Sequence, residues 1–209
     1  MITKTEQVWR HLLVGAFEHG RRQWPSVTAV ADELGLAVST THRALDHPGE
    51  IGAVDVTRAG GVVVRDPGKL LIVWAGTRRL RRDIRDRYHV AATAVTVEAT
   101  AVAASAILGG FGAVVAHQGG NRIADYTTVL FYGEPALPLE RCAEPLWPWE
   151  ATEVIVVEPD PRLAHYGRIT PIAQAWVDLF ALGGWQADRF VHHLTPELIH
   201  DGTQPVLPA

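Results

Sequence analysis

A single cysteine, Cys142, in 209 residues leaves no partner for an internal disulfide and excludes an all-cysteine metal site. Lysine is almost as scarce, with Lys4 and Lys69 the only two. That scarcity removes whole chemistries. A phosphate-binding loop needs Gly-Lys followed by Ser or Thr, and Gly68-Lys69 runs into Leu70 instead. A nuclease site built on an acidic-x-Lys motif has no lysine to use beyond residue 69. A Gly-x-Ser-x-Gly nucleophile turn is missing. The ten histidines are scattered, with none at the His-x-x-x-His spacing that suits a metal. His192 and His193 are adjacent, so on a helix they point about 100° apart and read as a polar flank. Cys142 has no base beside it, although Arg141 is its neighbour. Glu153, Glu158 and Asp160 are the remaining candidates for a carboxylate pair, at a spacing that argues only weakly for acid–base work.

Long hydrophobic runs are missing too. The nearest approach to the roughly 18–20 apolar residues of a membrane span is 91–115, which is interrupted by Glu98, several threonines and a glycine cluster. The first residues lack the basic-then-apolar plan of a signal peptide. The expectation is a cytoplasmic protein with no membrane partner, no cofactor and no enzymatic role. Hydrophobic residues still make up 47% of the chain, enough to bury a core and to exclude wholesale disorder.

Charge is unevenly spread. The net charge of -4 combines residues 1–87, with 14 Lys and Arg against 10 Asp and Glu, and residues 88–209, with 5 against 13. A basic front and an acidic back suggest two modules, of which only the front suits a polyanion.

The front half reads as helix, helix, turn, helix, hairpin. Apolar residues Val8, Leu12, Leu13 and Ala16 recur at helical spacing over 6–18. Ser26 is positioned to cap a second helix carrying Val27, Val30, Ala31 and Leu34. Gly35 supplies a corner, and a third helix is predicted over about 40–45, stopped by Pro48-Gly49. Alternating residues over 53–57 and 61–65 then predict a β-hairpin. Asp66-Pro67 resembles a helix start, with proline at the first helical position.

In this layout Leu34, Leu36 and Leu45 seal the junction between the second and third helices. Val38, Ser39, Thr40, His42 and Arg43 remain on the outer side of the third helix, where a recognition helix presents side chains to a major groove. Arg43 suits bidentate pairing with guanine, and the hydroxyls suit bases or phosphates. Arg58 and Arg65 on the hairpin are the candidates to reach phosphate or minor groove. Ala37 stands where a capping Ser or Thr is expected. The Arg-rich run over 77–87 includes Arg78, Arg79 and Arg82. It either extends the phosphate footprint, binds the acidic half in cis, or is a solvated helix laced with Asp83 and Asp86.

The expected fold class is α+β: a winged helix-turn-helix over 1–76, an Arg-rich connector over 77–87, and a mixed α/β domain over 88–209. Within the last, strands are predicted at 127–132 and 153–157, an Ala-rich helix at 97–108, and helices after Thr170-Pro171 and over 185–194.

The order of motifs resembles a known family. The front-half layout, then residues 66–75 (DPGKLLIVWA) with their Arg-rich continuation, and residues 171–180 (PIAQAWVDLF), are similar to the AbiEi-like regulators of type IV toxin–antitoxin systems. The resemblance implies a winged helix that represses its own promoter and a C-terminal domain needed for antitoxicity. It also implies a functional link to a nucleotidyltransferase toxin, and it transfers no catalytic residue. The departure is the Ala-rich stretch over 91–106. The expected function is therefore a sequence-specific regulator acting on double-stranded DNA, with a homodimer as the candidate assembly because one winged helix reads few base pairs. The alternative is a protein-interaction module with Trp147, Trp149 and Trp185 as anchors.

Overall fold

The computed structural model describes residues 1–133, 137–143, 147 and 151–200. The protein is mixed α+β, and it divides into two compact units. One comprises Ile2–Arg78 and the segment Leu194–Ala209; the other comprises Met1 and Arg79–His193. The division falls between Arg78 and Arg79, inside the run expected to be a connector.

The first unit opens with α1 (Lys4–Glu18). The Thr3 hydroxyl accepts the Glu6 N–H at 3.2 Å while the Glu6 carboxylate accepts the Thr3 N–H at 2.7 Å, a reciprocal capping box. Helix α2 (Val27–Leu34) starts at Ser26, whose hydroxyl accepts the Ala29 N–H at 3.0 Å, and ends at Gly35 in the left-handed conformation (φ 57°, ψ 36°). The corner needs that glycine.

Helix α3 (Val38–Glu50) is longer than the sequence predicts and runs through Pro48. A proline inside a helix removes one N–H, which leaves the carbonyl four residues earlier without its usual donor. Here that carbonyl belongs to buried Ala44, and the indole Nε1–H of Trp9 donates to it at 2.7 Å. The orphaned acceptor is thus satisfied from α1, so Pro48 does not have to stop the helix.

A three-stranded antiparallel sheet completes this part. Strands β1 (Gln23–Trp24), β2 (Val54–Val56) and β3 (Val62–Val64) lie in the order β1-β3-β2. The hairpin was legible; β1 was not, because two residues carry no periodicity. Gly15 admits it, since a Cβ there would lie 2.8 Å from the Trp24 ring. Helix α4 (Pro67–Thr77) follows, with the Asp66 carboxylate accepting the Lys69 N–H at 2.8 Å. The turn Pro196–His200 returns to this unit, burying Leu198, and its Ile199 backbone lies so close to Gly68 that a Cβ there would sit 3.0 Å away.

The second unit holds α5 (Leu80–Asp83), β4 (Ile84–Val90), α6 (Ala94–Ala103), β5 (Ile107–Gly109) and α7 (Gly110–His117). It continues with β6 (Thr128–Tyr132), β7 (Arg141–Cys142), β8 (Thr152–Val157), α8 (Ile172–Leu182) and α9 (Trp185–Thr195), whose last two residues belong to the first unit. Its sheet has the order β5-β6-β8-β4-β7, with only β6 and β8 parallel. Leu80, Ile107, Leu130, Tyr132, Ile155, Val157 and Leu163 pack as one core cluster. The Tyr132 hydroxyl donates to buried Asp178 of α8. The predicted strands over 127–132 and 153–157 match β6 and β8. The Ala-rich helix ends earlier than expected, at Ala103, because Ser105 turns with φ 68° and the chain then enters β5.

Trp9→Phe keeps an aromatic ring, smaller than the indole, and removes the donor, so unfolding free energy should fall by at least about 1–3 kcal/mol. In a Pro48→Ala background the restored helical N–H should make the same change cost less, a coupling that denaturant unfolding of the four proteins measures.

Candidate nucleic-acid interface

The outward side of α3 is set by what its inward side packs. Thr41, Ala44, Leu45 and Pro48 are buried, and the Thr41 hydroxyl donates to the Ala37 carbonyl at 3.3 Å. The helical repeat then turns Val38, Ser39, His42 and Arg43 outward, and all four are exposed; Thr40 is half-buried at the margin. Four of the five residues expected on the outer face are therefore exposed, and Leu34 and Leu45 seal the junction with Leu36 half-buried. Arg43 lies along its own helix, its Nε donating to the Ser39 carbonyl at 3.2 Å, which orients the guanidinium toward the N-terminal half. No side chain caps the helix at Ala37.

The C-terminal half of α3 is different. Asp46 lies 3.6 Å from His42 Nδ1, and Glu50 lies 3.6 Å from His47 Nδ1, all on exposed side chains. Exposed carboxylates at that end disfavour an approaching polyanion. Asp46 and Glu50 are additional to the residues expected at this site, and their i, i+4 and i, i+3 spacing from His42 and His47 is the sequence signal that marks them.

The hairpin is fastened beside α2. The Val27 N–H, one of the donors that a helix start leaves unpaired, donates to the Gly60 carbonyl at 3.0 Å. Across the tip, the Thr57 N–H donates to the Gly61 carbonyl at 2.8 Å and the Gly61 N–H to the Thr57 hydroxyl at 3.0 Å. Arg58 projects from this tip, exposed and without a side-chain partner among the described residues. Arg65 is otherwise engaged: its Nε donates to Asp55 at 2.6 Å across the two strands, so its charge is largely cancelled.

Arg78 requires a correction. Expected as part of a phosphate footprint, it is buried, with its guanidinium 3.9 Å from Glu6. Glu6 also accepts from Trp74 Nε1 at 3.2 Å, so one buried carboxylate caps α1, holds α4 and needs a cation beside it. Removing one partner of a buried ion pair leaves an uncompensated charge, which is strongly destabilising. Arg79 and Arg82 are exposed, and they belong to the other unit.

The solvated-helix reading holds only for the four residues of α5, where Arg81 and Arg82 are exposed; from Ile84 on the run is the strand β4. Arg85 donates to Glu158 at 2.6 Å, Arg87 to Glu153 at 2.5 Å, and Arg141 to Asp86 at 2.6 Å while its guanidinium lies 3.8 Å over the Tyr88 ring. Of the three readings of this run, cis pairing with the acidic half holds for Arg85 and Arg87. It also dissolves the carboxylate pair: Glu153 and Glu158 answer different arginines, and Asp160 accepts the Arg162 N–H at 3.1 Å. Cys142 is exposed on β7, Trp147 and Trp185 are exposed, and Trp149 and the tail 202–209 lie outside the described residues. Among the described residues no group of three His, Cys, Asp or Glu is arranged to hold a metal ion, and no helix is long and apolar enough to cross a membrane.

Behind α3, Glu33 of α2 collects three donors. Arg21 reaches it with two nitrogens at 2.7 and 3.0 Å, His11 Nε2 lies at 2.8 Å and Trp24 Nε1 at 3.3 Å. The Arg21 hydrogen bonds hold its carboxyl below the usual range, with His11 adding to the effect against partial desolvation. A depressed carboxyl stabilises the fold above its unfolded pKa of about 4.3, and that contribution is lost as pH falls through the lower folded value. Glu33→Gln should therefore cost about 0.2–1 kcal/mol at neutral pH, and the difference from wild type should vanish in acid; chemical denaturation as a function of pH measures it.

Comparison with family models, with curated proteins and with solved structures finds no match to this chain.

Proposed function

We propose that the first unit is a winged helix-turn-helix that binds double-stranded DNA, and that the protein is a sequence-specific transcriptional regulator. The observation that carries the reading is the single outward face of α3. Val38, Ser39, His42 and Arg43 stand together in solvent beside a hairpin that a backbone hydrogen bond fastens to the start of α2. In this arrangement α2 and Gly35 are the first helix and turn, α3 is the recognition helix, and the β2–β3 hairpin is the wing. A helix of 13 residues is about 20 Å long and fits a groove about 12 Å wide.

Roles follow from chemistry. Arg43 offers a guanidinium fork to guanine O6 and N7, Ser39 and Thr40 offer hydroxyls to base edges or phosphate, and Arg58 at the wing tip offers a charge to phosphate or minor groove. The acids Asp46 and Glu50 fix polarity by keeping the far end of α3 away from the backbone. The resemblance to AbiEi-like regulators supports a narrower version, an autorepressing antitoxin linked to a nucleotidyltransferase toxin. A nucleotidyltransferase gene beside this one tests that version. A protein-interaction role is the second reading, favoured by the exposure of Trp185, 65% accessible in the other unit.

Binding to duplexes selected from a random pool, followed by fluorescence anisotropy, tests the assignment. Arg43→Ala should lose about 1–3 kcal/mol of discrimination between the selected and a scrambled duplex. Arg58→Ala should weaken both equally and reduce the salt slope by about 1. An Arg43→Ala protein that keeps full sequence preference removes α3 as the reading element.

A further inference from the structure

We propose that Arg79, Arg81 and Arg82 form a second DNA-binding surface, one that grips the phosphodiester backbone of a duplex without reading its sequence. The inference rests on the DNA-binding reading above and adds a surface from the other unit to it.

The three guanidiniums fall within four residues, on and just before α5. All three residues are exposed, and none has a side-chain partner among the described residues. Their isolation follows from how the nearby carboxylates are used. Asp83, the acid of the same short helix, is buried and lies 2.7 Å from the Met1 ammonium. Asp86 answers Arg141, Glu153 answers Arg87, and Glu158 answers Arg85. The acids of α5, β4 and β8, and the one that follows β8, are thus matched to other cations. Three adjacent positive charges are left to repel one another, and an approaching polyanion relieves that repulsion.

Phosphodiester is the chemistry that fits. The planar guanidinium fork matches phosphate oxygens, and arginine is the only cation in the patch. A duplex presents one negative charge per about 1.7 Å, dense enough to engage three neighbouring arginines. Chain connectivity favours DNA over an acidic protein: Arg79 follows Arg78 directly, so the patch is tethered to the unit that holds the duplex in this reading, and linked sites raise each other's effective concentration where one duplex reaches both. The patch carries no base-reading geometry, so its contribution is affinity and salt dependence and leaves sequence preference to α3.

The test uses the full chain and the triple variant R79Q/R81Q/R82Q, with anisotropy on the selected and scrambled duplexes between 50 and 200 mM KCl. Each phosphate contact contributes about 0.9 to the salt slope, so the variant's slope should be shallower by up to about 2.7 on both duplexes. Over that fourfold range the affinity lost to salt should then be smaller by about 40-fold, with the ratio of the two affinities unchanged. The charge-preserving variant R79K/R81K/R82K should recover most of the slope. A wild-type chain that binds, beside a folded triple variant with an unchanged slope, overturns this inference and leaves the function of α3 standing. A changed affinity ratio also overturns it, by making the patch a reader of sequence. A wild-type chain that holds neither duplex at 50 mM salt overturns the DNA-binding reading itself, and wild-type binding to anionic phosphatidylglycerol vesicles in that case assigns the patch to a lipid surface.

Discussion

The geometry of the outward face of α3 depends on one hydrogen bond from another helix. Proline at position 48 would ordinarily end or kink the helix a turn earlier, and the carbonyl it abandons is buried among apolar side chains where water cannot reach it. The Trp9 indole supplies the missing donor and at the same time fills the space between α1 and α3. Because the bond ties the axis of α3 to α1, the positions of Ser39, His42 and Arg43 relative to the hairpin are fixed by the core and do not depend on the surface. The Gly60–Val27 backbone contact does the same for the hairpin.

A second constraint is how the arginines are allotted. Seventeen arginines stand against two lysines, and the structure sorts them by partner. Arg78 is enclosed with Glu6, Arg85, Arg87 and Arg141 form carboxylate pairs on the sheet of the other unit, and Arg43 donates to its own helix. Sequence-level charge counts merge these populations. The basic balance of residues 1–87 overstates the cationic surface, because Arg65, Arg78, Arg85 and Arg87 are all committed within the fold.

The legible parts of the sequence were those whose signal is local. Caps at Ser26 and Asp66, the left-handed corner at Gly35, the apolar stripe of α1 and the valine alternation of the hairpin each declare themselves within a few residues. What was hidden required a partner from far along the chain. The extension of α3 past Pro48 needs Trp9, β1 needs β3, the burial of Arg78 needs Glu6, and the strand nature of residues 84–90 needs pairing with β8. The outer face of α3 was legible because it follows from periodicity alone. The neutralisation of Arg65 by Asp55 was not, since it depends on strand register.

The contribution of the 196–200 turn to the first unit has a consequence for synthesis. Leu198 is enclosed in a body otherwise assembled from Ile2–Arg78, and Ile199 lies against Gly68 at the start of α4. A ribosome emits Ile2–Arg78 early and the residues that complete this unit more than a hundred codons later. A nascent or prematurely terminated chain therefore carries α4 without the segment that abuts Gly68, and the first unit is completed only once translation has passed residue 200.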